Sequence, residues 1–219
     1  MNISLPKLSI WGNFTIILFL VPLIGFPLHA ILQPEMLPPM RFVLHVHAVS
    51  AGWWFMLVIA QASLISTRNY KLHMRLGWWS AALAFLVVFS GVLVTMQFYE
   101  RRGDWPFTLG SLISFGMFAL FYVLGVLWRR DAPNHKRMMV FATIALMPAA
   151  TNRFAFILGI DPGLSGPIWI ATAALVPIYD LVTTRRLLRA SIVAIAAWIA
   201  MSVAVGSVSG GGGLSPETR

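Results

Sequence analysis

Apolar residues occur along this chain in long stretches that are separated by short polar segments. Most stretches approach the ~20 residues that an α-helix needs to cross the hydrocarbon core of a bilayer. The pattern therefore predicts an all-α polytopic membrane protein, a bundle of seven transmembrane helices. The predicted spans are Leu8–Leu32, Phe42–Ile65, Leu76–Phe98, Phe107–Trp128, Met138–Leu158, Ile168–Val182 and Leu188–Val208.

Composition agrees with this pattern and adds a domain organisation. The chain is 58% hydrophobic and 11% charged, with a mean hydropathy of +0.80, whereas a soluble domain carries roughly 25% charged residues. We expect a single seven-helix transmembrane domain over residues 1–206, in contact with the lipid bilayer, and a flexible Gly/Ser-rich tail over residues 207–219. The chain contains no cysteine, which excludes disulfides and thiolate metal ligands.

The formal charge of +9 reports orientation because the basic residues are concentrated in alternate loops. Lysines and arginines in short loops mark the cytoplasmic side of a membrane. This distribution predicts a cytoplasmic N-terminus and an external C-terminus, and it gives no support for a nucleic-acid partner. The basic loop residues are Arg68, Lys71 and Arg75, then Arg129, Arg130, Lys136 and Arg137, then Arg185, Arg186 and Arg189.

Polar side chains within or beside the apolar spans are the functional candidates, since such groups are costly in hydrocarbon. The predicted topology sorts them into two levels. The outer level holds His29, His45, His47 and Arg153, and the inner level holds His73, His135 and Asp180. Histidine clusters near both membrane faces are therefore expected.

His45 and His47 are two residues apart, so they point about 200° apart on a helix and only one can face a given partner. We take His45 as the inward residue. Arg153 needs an anion, carbonyl groups or water at its depth, and a haem propionate, a ligand carboxylate or a phosphate would serve, as would the outer headgroups.

Asp180 has two possible kinds of partner. It could pair with His135 or His73 and tune that imidazole as a base or a ligand. Alternatively, it could form an ion pair with Arg185 or Arg186, a turn or more away.

Two short motifs suggest a family. The segment from Leu72 to Gly77 opens the third span with His73, and the segment from His135 to Met139 opens the fifth span. With His45 and Arg153, they resemble a bacterial family of predicted membrane proteins, domain of unknown function 2306, over roughly residues 41–189. The resemblance implies a location in the bacterial inner membrane. In the family pattern an arginine directly follows the first histidine, whereas here Met74 lies between His73 and Arg75. In the second motif, Lys136 stands where the family pattern has arginine.

Three functions fit these residues. The preferred hypothesis is a b-type haem protein that transfers electrons with a quinol, in which His45, His73, His135 and Arg153 bind the cofactor. The first alternative is a zinc-dependent intramembrane hydrolase with ligands among His45, His47, His73, His135 and Asp180. The second is a transporter or an accessory subunit of a membrane complex. No catalytic residue is assigned.

Overall fold

The computed structural model describes residues 9–38 and 41–210, and this part of the chain is helical with no strand. The α-helices are α1 (Ile10–Leu32), α2 (Phe42–Ser66), α3 (Tyr70–Arg102), α4 (Trp105–Leu127), α5 (Ala132–Ala145), α6 (Pro148–Leu158), α7 (Ser165–Thr184) and α8 (Arg189–Gly210). Short 3₁₀ turns follow α1 and precede α7.

Six of these helices are long and apolar enough to cross a membrane: α1, α2, α3, α4, α7 and α8. The shorter α5 and α6 meet at an angle of 46° and would make a seventh span if they cross as one bent unit. The chain is therefore an all-α, multi-pass membrane protein.

The predicted fifth span differs from the structure in two ways. It starts earlier, at Ala132, and it is broken between Ala145 and Pro148. The proline nitrogen carries no hydrogen and therefore cannot bond to the carbonyl of Ile144, four residues earlier. The fifth apolar span is therefore a pair of helices that meet at a bend.

Neighbouring helices satisfy the carbonyl groups at the break. The indole nitrogen of Trp169, on α7, donates to the Ile144 carbonyl at 2.6 Å, and the Ser114 hydroxyl, on α4, donates to the Ala145 carbonyl. Backbone that leaves the helical pattern at membrane depth is tolerated where protein covers it. Hydrogen bonds from α7 and α4 therefore stabilise the bend.

The core is centred on α4 and α5. Phe118 and Phe121 on α4 are fully buried, as are Met138 and Ile144 on α5. Trp198 of α8 stacks on Phe121 with ring centroids 5.1 Å apart. These contacts hold α5, which carries several of the candidate residues, at the centre of the bundle.

The C-terminal helix runs further than the sequence suggests. α8 continues to Gly210, so the first residues of the predicted tail are helical. The rest of that tail, residues 211–219, lies outside the described residues.

Candidate functional site

Several helix ends meet at one end of the bundle, which we call the basic end because the α2–α3, α4–α5 and α7–α8 connections lie there. The starts of α3 and α5 meet through the rings of His73 and His135. The starts of α5 and α8 meet through the Asn134 side chain, whose oxygen accepts from the Ala190 amide at 2.9 Å. The other end, which carries His29 and Arg153, is called the opposite end.

His73 and His135 form a pair at the basic end. Their ring centroids are 6.3 Å apart and the ring planes are inclined by 85°. Both side chains are half-buried. The two imidazoles, which come from different helices, are therefore held within reach of one common ligand.

The backbone of α4 orients the His135 ring. His135 Nδ1 lies 2.7 Å from the carbonyl oxygen of Gly125. A carbonyl only accepts, so Nδ1 carries the hydrogen and the lone pair of the neutral ring is on Nε2. Gly125 lets α4 and α5 pack closely at this point, because a Cβ there would lie 3.2 Å from the Cβ of Met138 and would also meet the Met139 side chain.

The His73 ring is less constrained by the protein. Its Nδ1 atom is buried without a hydrogen-bond partner among the described residues. Gln61 donates through Nε2 to the His73 carbonyl at 3.2 Å, and the Gln61 Oε1 atom is also buried without a partner there. Two buried polar atoms that lack partners thus lie beside the histidine pair.

Asp180 pairs neither with a histidine nor with Arg185 or Arg186. Arg137 donates through Nε to Asp180 Oδ1 at 2.7 Å and through a second nitrogen forms the ion pair. Ser191 donates to Asp180 Oδ2 at 2.5 Å. Asp180 is fully buried and Arg137 is 3% exposed, so both sets of partners predicted from the sequence are wrong.

Arg137, Asp180 and Ser191 form a cluster, called the Asp180 cluster, that connects three helices. It joins α5, α7 and α8, and Arg137 also donates to the Pro133 carbonyl at 2.8 Å and lies 4.9 Å from the Trp11 ring centroid. Because Arg137 and Ser191 bind the two carboxylate oxygens from two other helices, the Asp180 carboxylate contributes to helix packing.

Asn134 makes further hydrogen bonds at the same end of the bundle. Its side chain donates to Asp131 Oδ2 at 2.7 Å and accepts from the Ala190 amide. Asp131 also caps α5 by accepting from the Asn134 amide at 3.3 Å. The Asn134 side chain holds the pKa of the exposed Asp131 carboxyl below its usual value, with smaller contributions from Arg189 and Arg137.

On α2, His47 and not His45 faces the bundle. His47 Nδ1 lies 3.2 Å from the Ser90 hydroxyl on α3, and its ring packs edge-on against Phe115 at 5.5 Å. His45 is exposed. The interpretation of His45 as the inward residue is therefore wrong, because the opposite face of α2 packs on α3.

His29 and Arg153 lie at the opposite end. His29 is 1% exposed, both ring nitrogens lack a hydrogen-bond partner among the described residues, and its ring lies 5.8 Å from Phe156. Arg153 lies over the Phe26 ring at 5.4 Å. Within the described ranges Arg153 has no carboxylate partner.

The structure thus brings together only part of the predicted site. His73 and His135 meet, while His45, His47 and Arg153 lie on other parts of the bundle. In residues 9–38 and 41–210 no group of three or more His, Cys, Asp or Glu side chains is placed to hold a metal ion. Arg137 was not a candidate, although its position three and seven residues before the buried Val140 and Ile144 places it on the same inward face.

No family model, curated protein or solved structure matches this chain in comparisons with known proteins.

Proposed function

We propose that this membrane protein binds one b-type haem between His73 and His135 and uses it for electron transfer. The observation that carries the proposal is the geometry of this pair, with centroids 6.3 Å apart on two different helices. Two imidazoles at this separation could share one metal ion, since metal–nitrogen bonds are about 2 Å long.

The hydrogen bonds of the pair support ligation. His135 donates through Nδ1 to a backbone carbonyl, which is the usual arrangement for a histidine whose other nitrogen binds a metal. His73 keeps a buried nitrogen that has no hydrogen-bond partner in the part of the chain that the structure describes. His73 and His135 would hold the iron, and the bound haem would supply one-electron chemistry to a quinol dissolved in the same bilayer.

A zinc hydrolase has less support. A catalytic zinc site takes about three protein ligands, and the described residues offer no group of three. Asp180, the one carboxylate among the predicted zinc ligands, is bound by Arg137 and Ser191.

The proposal includes an orientation. Within a bacterial inner membrane the basic end would face the cytoplasm, with seven spans and an external C-terminus. The chain has no native cysteine, so single cysteines can be labelled without background. We expect Lys71→Cys and Arg130→Cys to be protected from an impermeant thiol reagent in intact cells and Arg101→Cys to be labelled; the reverse pattern would contradict this orientation.

An absorption spectrum tests the cofactor. The full chain, purified in detergent from cells supplied with haem, should show a Soret band that sharpens and shifts on reduction. His73→Gln and His135→Gln should each lose most of the haem, measured as haem per protein, while the folded protein elutes as a single peak with the helical content of the parent. A colourless folded parent would contradict the proposal.

His45→Gln is the matched control. This histidine is exposed and lies in the first turn of α2, at the other end of that helix from the α2–α3 connection, so the variant should retain the full absorbance. Equal loss from His45→Gln would show that the haem, if present, is held elsewhere.

A further inference from the structure

Two pockets lie beside the end of α7 at the basic end. The larger has a volume of about 350 Å³ and is bounded by the start of α5, the end of α7 and the α7–α8 connection. The smaller, of about 160 Å³, lies between α1 and α7. Tyr179 lines both pockets, so they are neighbours, and together they are called the recess.

The larger pocket is basic. Lys136, Arg137 and Arg186 line it, and no carboxylate does. Asp180 forms an ion pair with Arg137, whereas neither Lys136 nor Arg186 forms an ion pair among the described residues. Two uncompensated positive charges therefore remain in a pocket that is wide enough for a small ligand group.

The smaller pocket is apolar. Ile10, Trp11 and Phe14 of α1 line one side, and Leu175 and Val176 of α7 line the other. Its lining extends along α1 and α7 away from the basic end, because Phe14 lies one turn beyond Trp11 and Leu175 lies one turn before Tyr179. This side of the recess suits a hydrocarbon chain.

An aromatic pair marks the boundary between the two pockets. Trp11 packs edge-on against Tyr179 at 5.0 Å, and the Lys136 ammonium lies 5.4 Å from the Trp11 ring centroid. Tryptophan and tyrosine favour the headgroup level of a bilayer, where one side of the ring is apolar and the other wet. The lining of the recess therefore changes from basic to apolar beside this aromatic pair, just as a phospholipid changes from its charged headgroup to its acyl chains.

We propose that this recess binds one anionic phospholipid of the surrounding leaflet, with its phosphate between Lys136 and Arg186 and an acyl chain against Phe14 and Leu175. Charge complementarity selects the headgroup, since basic pockets between transmembrane helices attract anionic lipids. The apolar groove selects a membrane lipid over a soluble phosphate. The site is separate from the histidine pair and does not depend on haem.

Native mass spectrometry of the detergent-purified full chain tests the headgroup preference. With equal amounts of phosphatidylglycerol and phosphatidylcholine, we expect the parent to retain phosphatidylglycerol about tenfold or more over phosphatidylcholine. Lys136→Gln/Arg186→Gln should remove this preference. Lys71→Gln/Arg130→Gln, which removes one lysine and one arginine that lie outside the pocket, should keep it.

A second arm tests the acyl-chain groove. Leu175→Trp fills the groove and should lower phosphatidylglycerol retention severalfold, whereas Leu181→Trp, on the same helix but outside the groove, should not. Glycerol phosphate, the soluble headgroup alone, should fail to displace the lipid at equal concentration. Equal retention of the two lipids, equal losses in the control variants, or displacement by glycerol phosphate would each overturn the proposal.

Discussion

The buried polar groups at the two ends of the bundle differ in whether they are bonded to other side chains. At the basic end, Arg137 and Asp180 are buried together and bonded to each other. At the opposite end, His29 is buried with neither ring nitrogen bonded within the described chain, and Arg153 lies over an aromatic ring with no carboxylate partner among the described residues. Burial alone therefore does not give a polar residue its role, because the same cost is offset at one end and not at the other.

The largest expected effect comes from breaking the buried ion pair. Asp180→Leu leaves the Arg137 charge without its partner in the interior, which should cost about 3–5 kcal/mol in the free energy of unfolding. Arg137→Met should cost a similar amount. Unfolding of the purified protein by titration with sodium dodecyl sulfate measures both.

The double variant Arg137→Met/Asp180→Leu is the control for this prediction. Both charges are then removed, so the loss should be much smaller than the sum of the single losses. Additive losses would show that the two residues act independently and would remove the main difference between the two ends.

Asn134→Ala should have the next largest effect. It leaves the Ala190 amide without its acceptor at the junction of α5 and α8, at a cost of about 1–3 kcal/mol. The same denaturant titration measures it. Ser202→Ala is a suitable control, since the Ser202 hydroxyl bonds only within α8.

The Asn134 effect should also depend on pH. The pKa of Asp131 is lowered in the folded protein by the Asn134 side chain, so this contact contributes stability above the unfolded pKa and loses it as the pH falls through the folded pKa. The stability difference between the parent and Asn134→Ala should therefore narrow below about pH 4. A difference that is constant from pH 7 to pH 3 would contradict this assignment.

Most of the fold could be predicted from the sequence because a long apolar stretch in a membrane protein forms a helix, in which the backbone polar groups bond to one another. The bend in the fifth span was harder to predict. Pro148 alone permits either a kink or a break, and the outcome depends on Trp169 and Ser114, which donate to the freed carbonyls from other helices.

The histidine pair was partly predictable, and the ion pair was not predicted. His73 and His135 open helices on the same side, so their common level followed from the topology. Arg137 looked like one more loop cation beside Lys136, although its helical spacing to buried apolar residues gave a signal. Asp180 likewise lies four and seven residues after the buried Val176 and Ala173, and an acid and a base on two inward faces at one depth are expected to pair.

His29→Leu should act in the opposite direction. Replacing a buried group that has no bonded partner by an apolar one of similar size should leave the protein equally stable or raise the free energy of unfolding by about 1 kcal/mol. His45→Leu, at an exposed position, should change it by less than about 0.5 kcal/mol. A loss of 2 kcal/mol or more in His29→Leu would show that the His29 ring makes a favourable bond, and the contrast between the ends would weaken.

Arg153→Leu should have the smallest effect. The guanidinium lies over Phe26 with no carboxylate partner in the described ranges, and such a contact contributes about 0.5–1 kcal/mol. Phe26→Leu should cost a comparable amount through this contact, and the double variant should cost little more than either single variant, since the contact can be lost only once. Denaturant titration of the three variants measures this coupling. If Arg153→Leu instead destabilised the protein as strongly as Asp180→Leu, Arg153 would have to bind an anion in the folded state, and the opposite end would carry an ionic site equivalent to the one formed by Arg137 and Asp180.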